Sequence, residues 1–293
     1  MRIARSGRDR AVGSGPDTPD IAGGVKTRPL AALKEVSTGR TLTGANCRTL
    51  ALAAEHRLIL AAHVAVLLGS SEEAADRRLR RLVASGHLRA DRPLSTASWY
   101  QIERRGLTAI GSRLPRPRAA DTAGSDHDIG LAWLWLAAHR GAFGATRAIH
   151  SERRMRSEDG RPRSQAIGPE RHAVRLEGVG PYGGERRHYP DLMLETGTGH
   201  RVALELELTA KGRRRTEAIL GGYAFDQRVD AVLYLVTNPG TGKAIARAAA
   251  AVGIPDMVHV QRVAFGPRSG ARQAPGAQHV ARRLRQPTPV PSR

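Results

Sequence analysis

Tyr189-Pro190-Asp191-Leu192-Met193-Leu194-Glu195, a short Gly/Thr turn, and then Val202-Ala203-Leu204-Glu205-Leu206-Glu207-Leu208-Thr209-Ala210-Lys211 decide how this chain is read. Leu204, Leu206 and Leu208 alternate with Glu205, Glu207 and Thr209, the period of a strand with leucines on one face and two carboxylates on the other. Same-face neighbours on a strand lie roughly 6 to 7 Å apart. Two carboxylates at that spacing, with an Asp from the preceding hairpin strand and a Lys at the strand's end, have the composition of a divalent-metal site for phosphodiester chemistry. The alternative is a solvated strand face with Glu–Arg pairs, since Arg213, Arg214 and Arg215 follow at once. Three arginines opening a helix oppose its dipole, and they are easier to understand if carboxylates or phosphate sit nearby.

Downstream, residues 213–225 carry Ile219, Leu220, Tyr223 and Ala224 at helical spacing, 229–236 read as a buried strand, 242–252 as an alanine-rich helix and 257–265 as a final strand. Upstream, 127–139 is apolar around its whole circumference and predicts a helix packed on a sheet and against the N-terminal half. His127, at its start, reads as a cap or packing residue. Residues 148–153 suggest a strand, and 156–187 read as a long loop that could hold a small hairpin. The second half, 126–265, is therefore expected to be a small mixed sheet with helices on both faces.

The first half has a different pattern. Helices are predicted over 43–55, 58–68 and 71–84, the third opened by a capping box of Ser70 and Glu73. Ala75, Leu79 and Leu82 would face the other two helices, with Arg77, Arg78, Arg80 and Arg81 on the remaining faces. Two short strands follow at 88–93 and 98–102, then a short helix within 106–114. Three helices and a basic hairpin are the order of a winged helix-turn-helix, in which the third helix enters the major groove. Residues 41–114 are thus the expected contact with double-stranded DNA, through Arg77, Arg78, Arg80, Arg81, Arg89 and Arg92; the competing reading is a helical domain whose arginines face water. Residues 115–125 read as a linker, and 1–40 and 266–293 as basic disordered segments.

Composition narrows the class. The chain's 293 residues suffice for two modest domains. Its 47 Lys plus Arg against 27 Asp plus Glu give a formal charge of +20, which favours a polyanionic partner. One cysteine, Cys47, excludes an intrachain disulfide, and no Cys/His spacing along the sequence is that of a zinc site. With no run of 18 apolar residues and no signal-peptide pattern, a cytoplasmic location and no membrane partner are expected.

Over about residues 41–265 the chain resembles the replication-relaxation family of actinobacterial and other bacterial mobile elements, through Tyr189 to Leu192, Glu205 to Lys211 and the helix that follows. That resemblance implies a winged-helix half and a role in plasmid or integrative-element replication or transfer, with replication or transfer proteins of the element as partners. The second half also resembles the restriction-endonuclease-like fold, whose motif is Pro-Asp, a gap, then Asp or Glu, one residue, and Lys. That likeness implies Asp191 and Glu205 as ligands of Mg2+, with Glu152 contributing from the earlier strand. Glu207 stands where the motif has Lys; Lys211 could supply the cation if the chain turns at Thr209 or Ala210. The residues and these resemblances together leave three functions open: an element-associated DNA-binding factor, a Mg2+-dependent endonuclease with catalytic Asp191, Glu205, Glu207, Lys211 and Glu152, and a transcriptional regulator whose C-terminal half forms a homodimer.

Overall fold

The computed structural model describes residues 42–92, 97–161, 171–180 and 183–264. The segments expected to be a basic arm and tail, the tip of the first hairpin and part of 156–187 lie outside them.

Three helices come first: α1 (Gly44–Glu55), α2 (Ala61–Leu68) and α3 (Glu72–Ala84). Each start is set by a local polar bond. Thr43 Oγ1 accepts from the Asn46 amide at 3.3 Å, His63 Nδ1 accepts from the Leu60 amide at 3.0 Å, and Ser71 Oγ accepts from the Ala74 amide at 3.3 Å. The cap of α3 is thus Ser71 and not Ser70. Ser71 holds the extended backbone of a cap residue, which puts Glu72 and Glu73 in the first turn, where the helix dipole favours acids. Gly69 ends α2 at φ 65°, a conformation that disfavours any residue with a Cβ. Ala75, Leu79 and Leu82 are the buried stripe of α3, as its periodicity predicts.

β1 (Leu88–Asp91) and β2 (Trp99–Ile102) pair antiparallel, Leu88 opposite Ile102 and Asp91 opposite Trp99. Ile59, between α1 and α2, adds a third segment by exchanging two 2.9 Å backbone hydrogen bonds with Tyr100. After α4 (Arg104–Ala109), the stretch expected as a linker is held against the first half: Gln101 Nε2 donates to the Arg57 and Arg118 carbonyls, and Arg57 donates to the Ala119 carbonyl at 2.7 Å.

The second half is a mixed sheet flanked by helices. α5 (Ser125–His139) leads into β3 (Thr146–Ser151) and α6 (Glu152–Asp159); β4 (Val174–Val179) and β5 (Glu185–His188) form a separate hairpin; then come β6 (Leu192–Thr196), β7 (Arg201–Glu207), α7 (Arg213–Phe225), β8 (Ala231–Val236), α8 (Pro239–Val252) and β9 (Val258–Arg262). The sheet order is β3-β6-β7-β8-β9, antiparallel from β3 through β7 and parallel from β7 through β9. Helices α7 and α8 are the crossovers that parallel neighbours require.

The sheet's two faces are both covered. Leu192, Leu194, Leu204, Leu206, Leu233 and Leu235 share one core with Leu134 and Leu136 of α5 and with Leu50, Leu79 and Leu82 of the first half. The apolar interior therefore runs from α1–α3 through α5 into the sheet, as the apolar circumference of α5 requires. Trp133 packs edge-on to His63 at 4.3 Å between ring centroids, and Trp135 meets His56 at 5.7 Å. Met193, Ala203, Val232 and Tyr234 face the other way, onto Ile219, Leu220 and Tyr223 of α7 and Ile245, Ala248 and Ala249 of α8. The reading of the Glu205 face as solvated is thereby corrected: α7 covers it, and Glu205 and Glu207 are 2% and 6% exposed. Among the described residues, no helix is long and apolar enough to cross a membrane.

Candidate functional site

β7 carries Glu205 and Glu207 beneath α7, and the loop entering β6 carries Asp191. Glu205 Oε1 accepts from Tyr223 Oη of α7 at 2.5 Å and lies 2.6 Å from His188 Nε2 of β5. Asp191 Oδ2 accepts from the Leu206 amide at 2.7 Å, in the adjacent strand, and meets His127 Nε2 of α5 at 3.2 Å. Bends at Leu208 and Thr209 turn the chain so that Lys211 Nζ reaches back to Glu207 Oε2 at 2.6 Å. Three carboxylates and three basic side chains thus form one network at the C-terminal end of β7. Asp191, Glu205, Glu207 and Lys211 come together there.

Glu152 takes a different place. β3 ends at Ser151, whose hydroxyl accepts from the Arg154 amide at 3.2 Å, so Glu152 opens α6 instead of extending the strand. Its amide donates to the Asp191 carbonyl at 3.1 Å, while its carboxylate pairs with Arg156 at 2.7 Å.

Burial is the first influence on Glu205, His188, His127, Glu207 and Lys211; partners outweigh it for all of these except Glu207. Burial would raise Glu205, but the charge and hydrogen bond of His188, with Tyr223, hold it below the usual carboxylate value. Burial would lower His188, and Glu205 outweighs that, so His188 is raised. For His127 burial also opposes the charge, yet its hydrogen bond to Asp191 lifts it to about 8. Glu207 is pushed up by burial and by the neighbouring Glu205 and Asp191, with Lys211 offsetting part of this; Lys211 is raised, the three carboxylates outweighing its own burial. The Tyr223 hydroxyl is driven well above its ordinary value by burial and then by Glu205. It acts as a hydrogen-bond donor.

Asp191 Oδ1, Glu205 Oε2 and Glu207 Oε1 are the oxygens these bonds leave over. Hard oxygen donors suit Mg2+, so Asp191 and Glu205 have the right chemistry to hold it. Convergence is incomplete, however: among the described residues, the group of three or more candidate ligands lying within 4.8 Å of one another is His150 of β3, Glu158 of α6 and His172, just before β4. There, Arg201 Nη2 donates to His172 Nδ1 at 3.2 Å, which leaves Nε2–H to face Glu158 Oε2 at 2.9 Å. With its ring nitrogens so committed, His172 braces β7 to α6.

The basic residues of the first half divide in two groups. Arg77, Arg80 and Arg81 stand exposed on α3, and Arg92 is exposed at the end of β1. Arg80 also pairs with Asp76, whose other oxygen accepts from Tyr100 Oη of β2 at 2.6 Å. Burial and this bond to Asp76 push the Tyr100 hydroxyl up to about 12. Arg78 donates to Asn46 Oδ1 of α1 at 2.6 Å, and Arg89 forks onto Gln101 Oε1 at 2.5 and 3.1 Å. Arg78 and Arg89 therefore fix the scaffold, leaving Arg77, Arg80, Arg81 and Arg92 facing outward.

Sequence reasoning missed His188 and Tyr223 as members of the network and read His127 as packing. His188 directly precedes the Tyr189-Pro190-Asp191 motif, which is a signal of place. Tyr223 is recognisable only once α7 is known to lie on the Glu205 face.

No family model matches the sequence, and no curated protein matches it. Among solved structures, a chain described as PigF with SAH aligns with 13% identity and a TM-score of 0.17, over 75% of this chain. This chain spans 62% of the length of that one, and a likeness of that quality carries no argument about fold or function.

Proposed function

We propose that the protein binds double-stranded DNA through a winged helix-turn-helix formed by α1–α4, β1 and β2, in the replication or transfer of a plasmid or integrative element. The observation that carries the DNA reading is the presentation of α3. Its apolar stripe is buried, Arg77, Arg80 and Arg81 point outward, and Tyr100 of the hairpin bonds to Asp76 of the same helix at 2.6 Å. The Ile59 segment completes a three-stranded wing beside it. A helix offered in this way, next to a strand pair able to touch the backbone, suits major-groove docking. The element role rests on the replication-relaxation resemblance of Tyr189–Leu192 and Glu205–Lys211.

The test is fluorescence anisotropy of a labelled duplex over a salt series. Wild type should lose affinity linearly in log salt, with a slope of about −0.9 per phosphate neutralised. Arg77→Glu with Arg81→Glu should remove binding; unchanged affinity would refute the placement of the recognition helix.

A second reading, a Mg2+-dependent endonuclease on a restriction-endonuclease-like frame, is favoured by one observation. The order β3-β6-β7-β8-β9 changes from antiparallel to parallel at β7, the strand that carries Glu205, and Asp191 enters the neighbouring strand. Asp191 and Glu205 would hold the metal, which would supply an activated water, and Lys211 would lie among the carboxylates as the cation. Incubation of supercoiled and branched DNA with Mg2+ or Mn2+ separates the readings. Nicking by wild type that Asp191→Asn abolishes, with DNA affinity intact, would establish the enzyme; binding without nicking would count against it.

A further inference from the structure

We propose that the groove between the β4–β5 hairpin and the first turns of α7 is a second DNA contact that holds the phosphodiester backbone, an inference that rests on the DNA-binding reading. The groove encloses about 550 Å³ and is lined by Arg186, Arg187 and His188 of β5 and by Arg214, Arg215 and Ile219 of α7. Its basic side chains thus come from two separate elements.

The charge is unusual for its place. All three residues that open α7 are arginines, no acid stands in the first turn, and its cap residue, Gly212, has no side chain to offer. Each cation there opposes the helix dipole. Arg213 is neutralised by Glu217 at 2.7 Å, but Arg214 and Arg215 have neither ion pair nor side-chain hydrogen bond among the described residues. On the facing wall, Arg186 donates to the Glu177 carbonyl at 3.1 Å, which fixes its guanidinium without cancelling its charge. The lining acid is Glu185, which already pairs with Arg175 at 3.4 Å and Arg187 at 3.5 Å.

Cations gathered between two walls focus the field inside the groove and favour a polyanion. Among the described residues, the lining offers no Phe, Tyr or Trp on which a base could stack, and its charge favours the sugar–phosphate backbone. His188 belongs both to the groove and to the Glu205 pair, so a strand lying here would run beside the carboxylate network.

The experiment uses the full chain and the same duplex salt series. Arg214→Gln with Arg215→Gln is compared with Lys243→Gln with Arg247→Gln, an equal loss of charge on exposed positions of α8. The groove variant should bind roughly tenfold more weakly, and its log–log salt slope should be shallower by about 2, from two phosphate contacts at about 0.9 each. Its unfolding midpoint should not fall. A loss no larger than in the α8 variant would overturn the groove while leaving the DNA reading in place. Absence of binding by wild type, or binding that survives Arg77→Glu with Arg81→Glu, would instead strike the recognition-helix reading. Saturable binding of inorganic phosphate alone, lost in the groove variant with DNA affinity unchanged, would overturn the proposal in favour of a small-anion site.

Discussion

Substituting His188 by Ala tests whether the Glu205 pair holds the fold. Glu205 is 2% exposed and relies on His188 at 2.6 Å and Tyr223 at 2.5 Å. The His188 side chain is 17% exposed, so solvent screens the pair little. Truncation removes a charge-assisted bond worth roughly 1.5–3 kcal/mol and leaves a buried carboxylate with the hydroxyl alone. Breaking buried ion pairs on one side costs about 3–5 kcal/mol. Because Tyr223 remains, we expect the lower end, about 3 kcal/mol, from urea unfolding near pH 6. The sign with pH follows from the two shifts. His188 is raised in the fold, so its contribution is complete below its unfolded value of about 6.5 and is lost as pH rises through the folded value. Glu205 is lowered, so its contribution is present above about 4.5 and is lost as pH falls through the folded value. The difference between variant and wild type should thus be greatest near pH 6 and shrink as pH rises through the raised folded value of His188. A loss below about 1 kcal/mol at pH 6, or one independent of pH, would refute the account.

Packing around α7 and the charges beside α5 set three further outcomes. A Cβ at Gly222 would lie 2.8 Å from the Arg175 carbonyl oxygen and 2.8 Å from Val174 Cγ1, whereas one at Gly221 meets nothing within 4 Å. Gly222→Ala should cost about 1–3 kcal/mol and Gly221→Ala gain up to about 1 kcal/mol, read by thermal unfolding. Asp128 is raised to about 6, chiefly by burial, with Arg57 at 3.4 Å opposing it. Its folded value exceeds its unfolded one, so stability falls as pH rises between about 4 and 6. Asp128→Asn should then stabilise the protein at pH 7.5 by on the order of 2 kcal/mol and have little effect at pH 4, in unfolding at the two pH values. Asp191→Asn keeps an oxygen for the Leu206 amide but removes the charge facing His127. An NMR titration should show His127 falling from about 8, because the hydrogen bond and charge that offset its burial are gone.

Much of this arrangement was legible because short-range periodicity determines it. The alternation around Glu205 gives β7 its two faces, and Ala75, Leu79 and Leu82 give α3 its buried side, whatever the rest of the chain does. The cap of α3 was misplaced by one residue because two serines precede two glutamates, and only the backbone conformation of Ser71 separates them. Glu152 was read into a strand for a similar reason: Ser151 suits both a strand end and a helix cap. The fate of the Glu205 face was not local at all. It depends on α7 lying over β7, which brings Tyr223 from 18 positions away in sequence. Its solvated reading failed because alternation shows which residues share a face but not what covers it.

That dependence governs how any loss of function at the cluster is to be understood. Glu205 is enclosed by His188 and Tyr223, so removing its charge perturbs the packing of β5 and α7 on β7 as well as any metal or DNA nearby. A Glu205 variant that fails to bind or cut would therefore be ambiguous. Asp191 is the sharper probe, because Asn still accepts from the Leu206 amide and the strand pairing can stay intact, while the charge that would hold a metal and that sustains His127 is gone. If Asp191→Asn stays folded, keeps its DNA affinity and lowers His127, a concurrent loss of nicking belongs to chemistry. If wild type binds without nicking, the same titration shows what the carboxylates do instead: they hold His127 and Lys211, and with them α5 and the turn before α7, at the C-terminal end of β7.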